Sequence, residues 1–167
     1  MKKILIGLLT VISPILFAEV HTKLIERDGI FYEEDSNIPF SGEHTIFYKD
    51  GSIKEKLSYK LGKKEGIRKT YHENGSIFED EIYKDGKLEK TFKGYYENGF
   101  LWWEGHASNN LRHGPIRVFY ESGNLKYEGN HKFNQKDGLW SYFKPDGEIE
   151  KIECHKNDLI VELTECN

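Results

Sequence analysis

The chain is poor in cysteine and in long apolar stretches, and it has no excess of basic charge. Only two cysteines, Cys154 and Cys166, occur in 167 residues. Hydrophobic residues make up 37% of the chain, too few for a thick two-layer core. One uncharged apolar run, Ile4 to Phe17, is too short to span a bilayer comfortably. Acidic residues outnumber basic ones, 28 to 24, and basic residues cluster only at Lys60, Lys63 and Lys64; this composition speaks against nucleic acid as a partner. No strand–glycine-loop–helix phosphate cradle and no nucleophile elbow can be traced. The seven histidines are scattered, with no convergent ligand set for a metal. The carboxylates recur at matching positions, such as Glu55 with Glu79 and Glu104 with Glu128, which reads as a solvated face rather than an acid/base pair. Catalytic residues, cofactor and metal are therefore all expected to be absent.

Aromatic residues and glycines, by contrast, are present in strict order. Tyr95-Tyr96-Glu97-Asn98-Gly99-Phe100-Leu101 is one of five similar stretches, whose glycines fall at 51, 75, 99, 123 and 147. A constant spacing of 24 residues marks a repeat array. An Asp, Asn or Ser followed by Gly turns the chain, and with one residue before that pair the usual solution is a three-residue hairpin loop closed by a left-handed glycine. In that register Phe47 faces Ile53, Tyr71 faces Ile77, Tyr95 faces Leu101, Phe119 faces Leu125 and Phe143 faces Ile149. Aromatic–aliphatic pairs of this kind favour antiparallel pairing.

A second set of turn-tolerant residues, Gly62, Gly86, Asn110, Asn134 and Asp158, lies midway between the first and shares its spacing. Each repeat thus holds two reversals and two strands of about eight residues. The fold class expected is all-β: a single-layer antiparallel β-meander of about five hairpin repeats with terminal caps, each repeat touching mainly its neighbours. Gly42, Gly66, Gly114 and Gly138 stand nine residues before a turn glycine; Lys90 replaces glycine in the third repeat, where a local kink is expected.

The chain divides accordingly. Residues 1–18 read as a secretory signal peptide: Lys2 and Lys3, the apolar run, then Ala18 at the cleavage point. Leu16 is a poor residue three before cleavage, so an uncleaved anchor is the alternative. Without Lys2 and Lys3 the remainder carries net −6 before counting histidine. Residues 19–41 read as a divergent repeat forming the N-terminal cap, with Pro39 suited to an edge. Residues 42–150 are the array and 151–167 the C-terminal cap. Export places Cys154 and Cys166 in an oxidising compartment, where a bond between them would add on the order of 3 kcal/mol. A simple hairpin near Asn157 does not set the two opposite each other, so the tail must fold differently; two buried thiols are the alternative.

Tyr127-Glu128-Gly129, then Asn134 and Lys136-Asp137-Gly138, with Trp103-Glu104-Gly105 and His113-Gly114 one repeat earlier, resembles the MORN repeat. The Tyr-x-Asn-Gly-x-Leu turns look most like its bacterial variant, found in exported repeat proteins and in antitoxins of the YwqK type. Leu57 and Glu81 depart from the glycine of Tyr-x-Gly. The resemblance implies a non-enzymatic scaffold that binds a protein partner by a sheet face or edge or associates with itself, and the signal-peptide reading places it in the periplasm or cell envelope, or secreted. It also admits an antitoxin or immunity protein against a toxin, and contact with a membrane lipid or glycan, which the acidic charge does not favour. Trp102, Trp103 and Trp140, extended by Tyr96 and Tyr120, are the candidate contact residues. Consecutive strand residues face opposite ways, so one of Trp102 and Trp103 is expected on the aromatic ladder and the other on the second, wet face; that both simply cover a thin sheet without contacting a partner is the alternative.

Overall fold

The computed structural model describes residues 23–166; the signal-peptide reading of 1–18 lies outside them. Two strands, β1 (Leu24–Arg27) and β2 (Ile30–Glu33), form a hairpin of their own. The remaining strands form one sheet: β3 (Gly42–Phe47), β4 (Ile53–Lys60), β5 (Lys63–Lys64), β6 (Gly66–Tyr71), β7 (Ile77–Lys84), β8 (Lys87–Leu88), β9 (Lys90–Tyr95), β10 (Leu101–Ser108), β11 (Leu111–Phe119), β12 (Leu125–Lys132), β13 (Gln135–Phe143), β14 (Ile149–Lys156) and β15 (Leu159–Val161). Every pairing is antiparallel and the strand order is the chain order, with β5 and β8 as short lead-ins to β6 and β9. The main sheet is the up-and-down meander that the spacing predicts, with the β1–β2 hairpin as a separate two-stranded sheet.

The five aromatic–aliphatic pairs stand in the expected register. At the first turn the Gly51 N–H donates to the Tyr48 carbonyl at 3.1 Å and the Tyr48 N–H to the Ser52 carbonyl at 2.8 Å, with Gly51 at φ +88°. Asp50 is there because its carboxylate accepts from the Ser52 backbone N–H at 2.9 Å; Asn74, Asn98 and Asp146 do the same in later copies. The other row of turns places two residues at positive φ, such as Asn109 (53°) and Asn110 (68°), the backbone of a two-residue hairpin that matches strand twist.

Both rows are stapled from one repeat to the next. Along the first, the Tyr48 hydroxyl donates to the Tyr71 carbonyl (2.5 Å), Tyr96 to Phe119 (2.8 Å) and Tyr120 to Phe143 (2.9 Å), while His72 Nε2 donates to Tyr95 (2.9 Å). Along the second, the Asn110 N–H donates to the Leu88 carbonyl and its Oδ1 accepts from the Leu88 N–H at 2.6 Å; Asn134 with Arg112 and Asp158 with Lys136 repeat this. These bonds satisfy backbone groups where the strand ladder ends. They also explain why Asn and Asp replace glycine in the later copies: the side chain adds a bond that glycine cannot.

The third repeat shows no kink peculiar to it. Its break between β8 and β9 matches the one between β5 and β6, and Lys90 itself takes the left-handed backbone (φ 63°) that Gly66 takes (φ 86°). A side chain there is strained. Lys90→Gly is therefore expected to raise stability by roughly 0.5–1 kcal/mol after the entropic cost of glycine, measured as a higher urea midpoint; a lower midpoint would contradict this account.

The two ends are closed differently. At the first, the Phe31 N–H donates to the Gly62 carbonyl at 2.8 Å and the Phe31 ring lies 4.9 Å from that of Tyr59, seating the β1–β2 hairpin on the first repeat. At the last, β15 sets Val161 opposite Cys154 and then leaves the sheet; a 3-10 helix, Leu163–Cys166, carries the chain back. Cys154 and Cys166 are bonded, with Cα atoms 5.8 Å apart. The helix supplies the different path that a simple hairpin lacks.

Candidate functional site

A departure from regular pairing comes just after each first-row turn. Gly94 pairs with Trp103 but Tyr95 pairs with Leu101, so Trp102 has no opposite number; Lys54, Phe78, Lys126 and Glu150 are the same extra residue in the other copies. This is a β-bulge, and it cancels strict alternation. The expectation that Trp102 and Trp103 lie on opposite faces is corrected on this ground: both line one cleft. Each bulged side chain from Lys54 to Lys126 leans on the aromatic staple of its own repeat, as Trp102 does on Tyr96 at 5.6 Å and Lys126 on Tyr120 at 5.4 Å.

The cleft encloses about 450 Å³ over the second half of the sheet. Its floor is the main core, Ile116, Val118 and Trp140, with Trp103, Tyr127 and Tyr142 packed against it. Glycine lets the rings lie flat on the sheet. A Cβ on Gly129 would fall 2.3 Å from the Trp140 ring, and one on Gly94 2.3 Å from Trp103. Bare backbone at these points takes the place of a side chain that would lift the ring away. The glycine of the Tyr-x-Gly signature thus has a packing reason in the copy that holds Gly129.

The candidate contact residues separate in this geometry. Trp102 is 38% exposed at the cleft and Trp103 is half-buried beside it. Trp140 is 1% exposed, so it holds the floor and offers no surface to a partner. Tyr96 and Tyr120 spend their hydroxyls on the next repeat and are half-buried.

One wall was not anticipated: Arg112, His131 and Lys136 line the cleft. Lys136 Nζ sits 4.3 Å above the Trp140 ring and donates to the Tyr142 hydroxyl at 2.8 Å. A signal existed, since Lys64, Arg112 and Lys136 share one repeat position, and Tyr59, Tyr83, His131 and His155 share another. Among the described residues, none that lines the cleft is an Asp, Glu, Asn or Gln.

The first half of the same sheet is acidic instead. Arg68 bonds to Glu55 at 2.7 Å, Glu81 at 2.8 Å and Glu79 at 3.2 Å, and all four side chains are largely buried. Burial works against the guanidinium charge, but hydrogen bonds to Glu55 and Glu81 outweigh it and hold the pKa above its ordinary value. Burial, then the carboxylates beside them, push Tyr59 and Tyr83 up to about 12. The reading of Glu55 and Glu79 as a solvated face is corrected: Arg68 stands on the strand between theirs and draws both carboxylates to it.

Burial, reinforced by the cations of Arg112 and Lys136, holds His131 below its ordinary 6.5. The unfolded chain then takes up that proton more readily, so the contribution is full above about pH 6.5 and is lost as pH falls. A hydrogen bond from Lys151, helped by His155 and opposed by burial, brings Glu153 from 4.5 to about 2. Its contribution is full above about pH 4.5 and is lost as pH falls toward 2. The urea midpoint is expected to decline below about pH 6.5 and more steeply below about 4.5; a midpoint that rises between pH 7 and pH 5 would contradict the assignment.

The cleft has the parts for holding a ligand, aromatic walls and cationic donors. The MORN repeat variant family matches residues 40–61, 64–85, 112–132 and 136–157, just over half of the chain. The stretch between 86 and 111, with Lys90 and the two neighbouring tryptophans, lies outside the matched residues. No curated protein matches the chain.

Proposed function

This chain belongs to the MORN repeat variant family, and from that premise we propose that it is an exported, non-enzymatic scaffold that binds a protein partner through the face carrying Trp102 and Trp103. The observation that carries the reading is the exposure of Trp102 beside a preformed aromatic cleft. A rigid ring at the edge of an apolar hollow is the usual anchor of a protein contact, because it buries much surface and loses little side-chain freedom. The sheet beneath it is stapled at both turn rows, so the surface is organised before a partner arrives and binding need not pay for ordering it. Export is supported by the Cys154–Cys166 bond, since such bonds persist in oxidising compartments, and by the apolar run after Lys2 and Lys3. A toxin is one partner such a scaffold would serve, which the YwqK-type resemblance and the acidic balance keep in view.

The test is affinity capture from the native envelope and culture fluid with the chain lacking residues 1–18. One stoichiometric protein is expected, bound at least about tenfold more weakly by Trp102→Ala. Equal capture by the variant, or recovery of nothing but further copies of the chain, would overturn the reading.

A further inference from the structure

Resting on that reading, we propose that the occupant of the cleft is an acidic–apolar peptide segment of the partner, its apolar side chain lying among Trp102, Trp103 and Tyr142 and its carboxylate on Arg112 and Lys136.

The charged side chains lining the cleft are cationic, and its other polar side chains are the phenols of Tyr127 and Tyr142, the His131 imidazole and the indoles. The Arg112 guanidinium has no ion pair or hydrogen bond among the described residues, although its backbone is held by Asn134. The charge of Lys136 meets only an aromatic face and a phenol oxygen. The Trp140 indole N–H is buried without a hydrogen-bond partner. Three cations of neighbouring strands are matched by acids: Arg117 and Lys93 lie on Glu104, and Lys151 on Glu153. Arg112 and Lys136 thus bring two cations without an ion-pair partner among the described residues to one aromatic hollow, in a chain whose net charge is −4. An anionic acceptor completes it, since charge-assisted bonds from Arg and Lys to a carboxylate are among the stronger ones available.

The rest of the wall decides what carries that anion. A sugar presents hydroxyls that need acceptors as well as donors, and no carboxylate or amide side chain lines the cleft. An anionic bilayer would meet the net negative charge of the whole chain, which opposes adsorption to such a surface. A peptide asks for less: one apolar side chain against the rings and one carboxylate beside it. A hollow of about 450 Å³ accommodates that much.

The probe is a library of random seven-residue peptides displayed on phage and selected on the immobilised chain, with synthetic copies of the winners titrated by tryptophan fluorescence. Selected peptides are expected to pair Asp or Glu with an aromatic or large aliphatic residue, and to weaken about tenfold or more when that acid becomes Gln. Arg112→Glu, which leaves the backbone bonds to Asn134 intact, should remove the acid preference while circular dichroism stays unchanged. Peptides that lose binding with Trp102→Ala but show no acid preference would overturn this inference and leave the protein-binding reading standing. Selection of no peptide sensitive to Trp102→Ala would overturn both. Retention of phosphatidylglycerol vesicles or of a uronic-acid oligosaccharide, without peptide selection, would overturn both in favour of those ligands.

Discussion

Trp140→Ala is expected to lower the unfolding free energy by about 3–5 kcal/mol, the range for deleting a large buried aromatic side chain. Trp140 is 1% exposed, lies flat over Gly129, and is flanked by His131 at 5.1 Å and His155 at 6.0 Å between ring centres. It therefore joins β12, β13 and β14 through one side chain. In a sheet one layer thick, nothing behind the ring can collapse into the space it leaves. Repeats in such an array are coupled mainly to their neighbours, so the C-terminal copies should lose protection first. Urea midpoints and amide exchange measure both effects. Gly129→Ala should act in the same direction from the opposite side, because its Cβ must push the ring off the sheet. Trp102→Ala is the control: an exposed residue in a bulge is expected to cost under about 1 kcal/mol. Equal losses for Trp102→Ala and Trp140→Ala would contradict the assignment of one ring to the cleft surface and the other to its floor.

Removing the disulfide by changing Cys154 and Cys166 together to Ala is expected to cost about 3 kcal/mol, the value for a loop of this length when bonded without strain. The effect should concentrate at the end of the array. β15 pairs with β14 over only three residues, Cys154 to Lys156, and the 3-10 helix after it buries no residue. The covalent link is what returns the chain to the sheet. Without it, β15 should fray and the open edge of β14 should extend from the exposed Ile149 and Ile152 through Lys156, a surface prone to strand addition. Faster amide exchange over residues 154–161 and concentration-dependent association are the expected observations. Wild-type protein in reducing agent should behave like the double variant. A midpoint unchanged by reduction would mean that the cap is held by packing alone.

Much of the architecture was legible because its determinants are local. In four of the five copies an Asx–Gly pair encodes a turn through one left-handed residue and one side-chain bond, Ser122-Gly123 serving in the other, and a constant spacing repeats the turn. The five cross-strand pairs follow from that alone. The candidate site was legible only in part. Trp102 and Trp103 announced themselves as a pair, but their shared face depends on one unpaired residue, which shifts the alternation by a single step without changing composition or spacing. Arg112 and Lys136 sit one repeat apart and could have been found as a recurring cation. Their company was less accessible: Lys136 serves the cleft because Trp140 and Tyr142, four and six residues on, point to the same side. Glu55 and Glu79 misled for the same reason, since recurrence shows that two residues are equivalent but not what stands between them.

The amino-acid order by itself determined the repeat length, the two rows of turns, the antiparallel meander and the register of each hairpin, because each depends on contacts within one copy and its immediate neighbour. The tertiary structure alone decided which tryptophan is floor and which is surface, that Arg68 gathers three carboxylates, and that a 3-10 helix brings Cys166 back to Cys154. These depend on bulge geometry and on rings seated over backbone from another strand, where a displacement of one residue changes the partner while the sequence pattern stays the same.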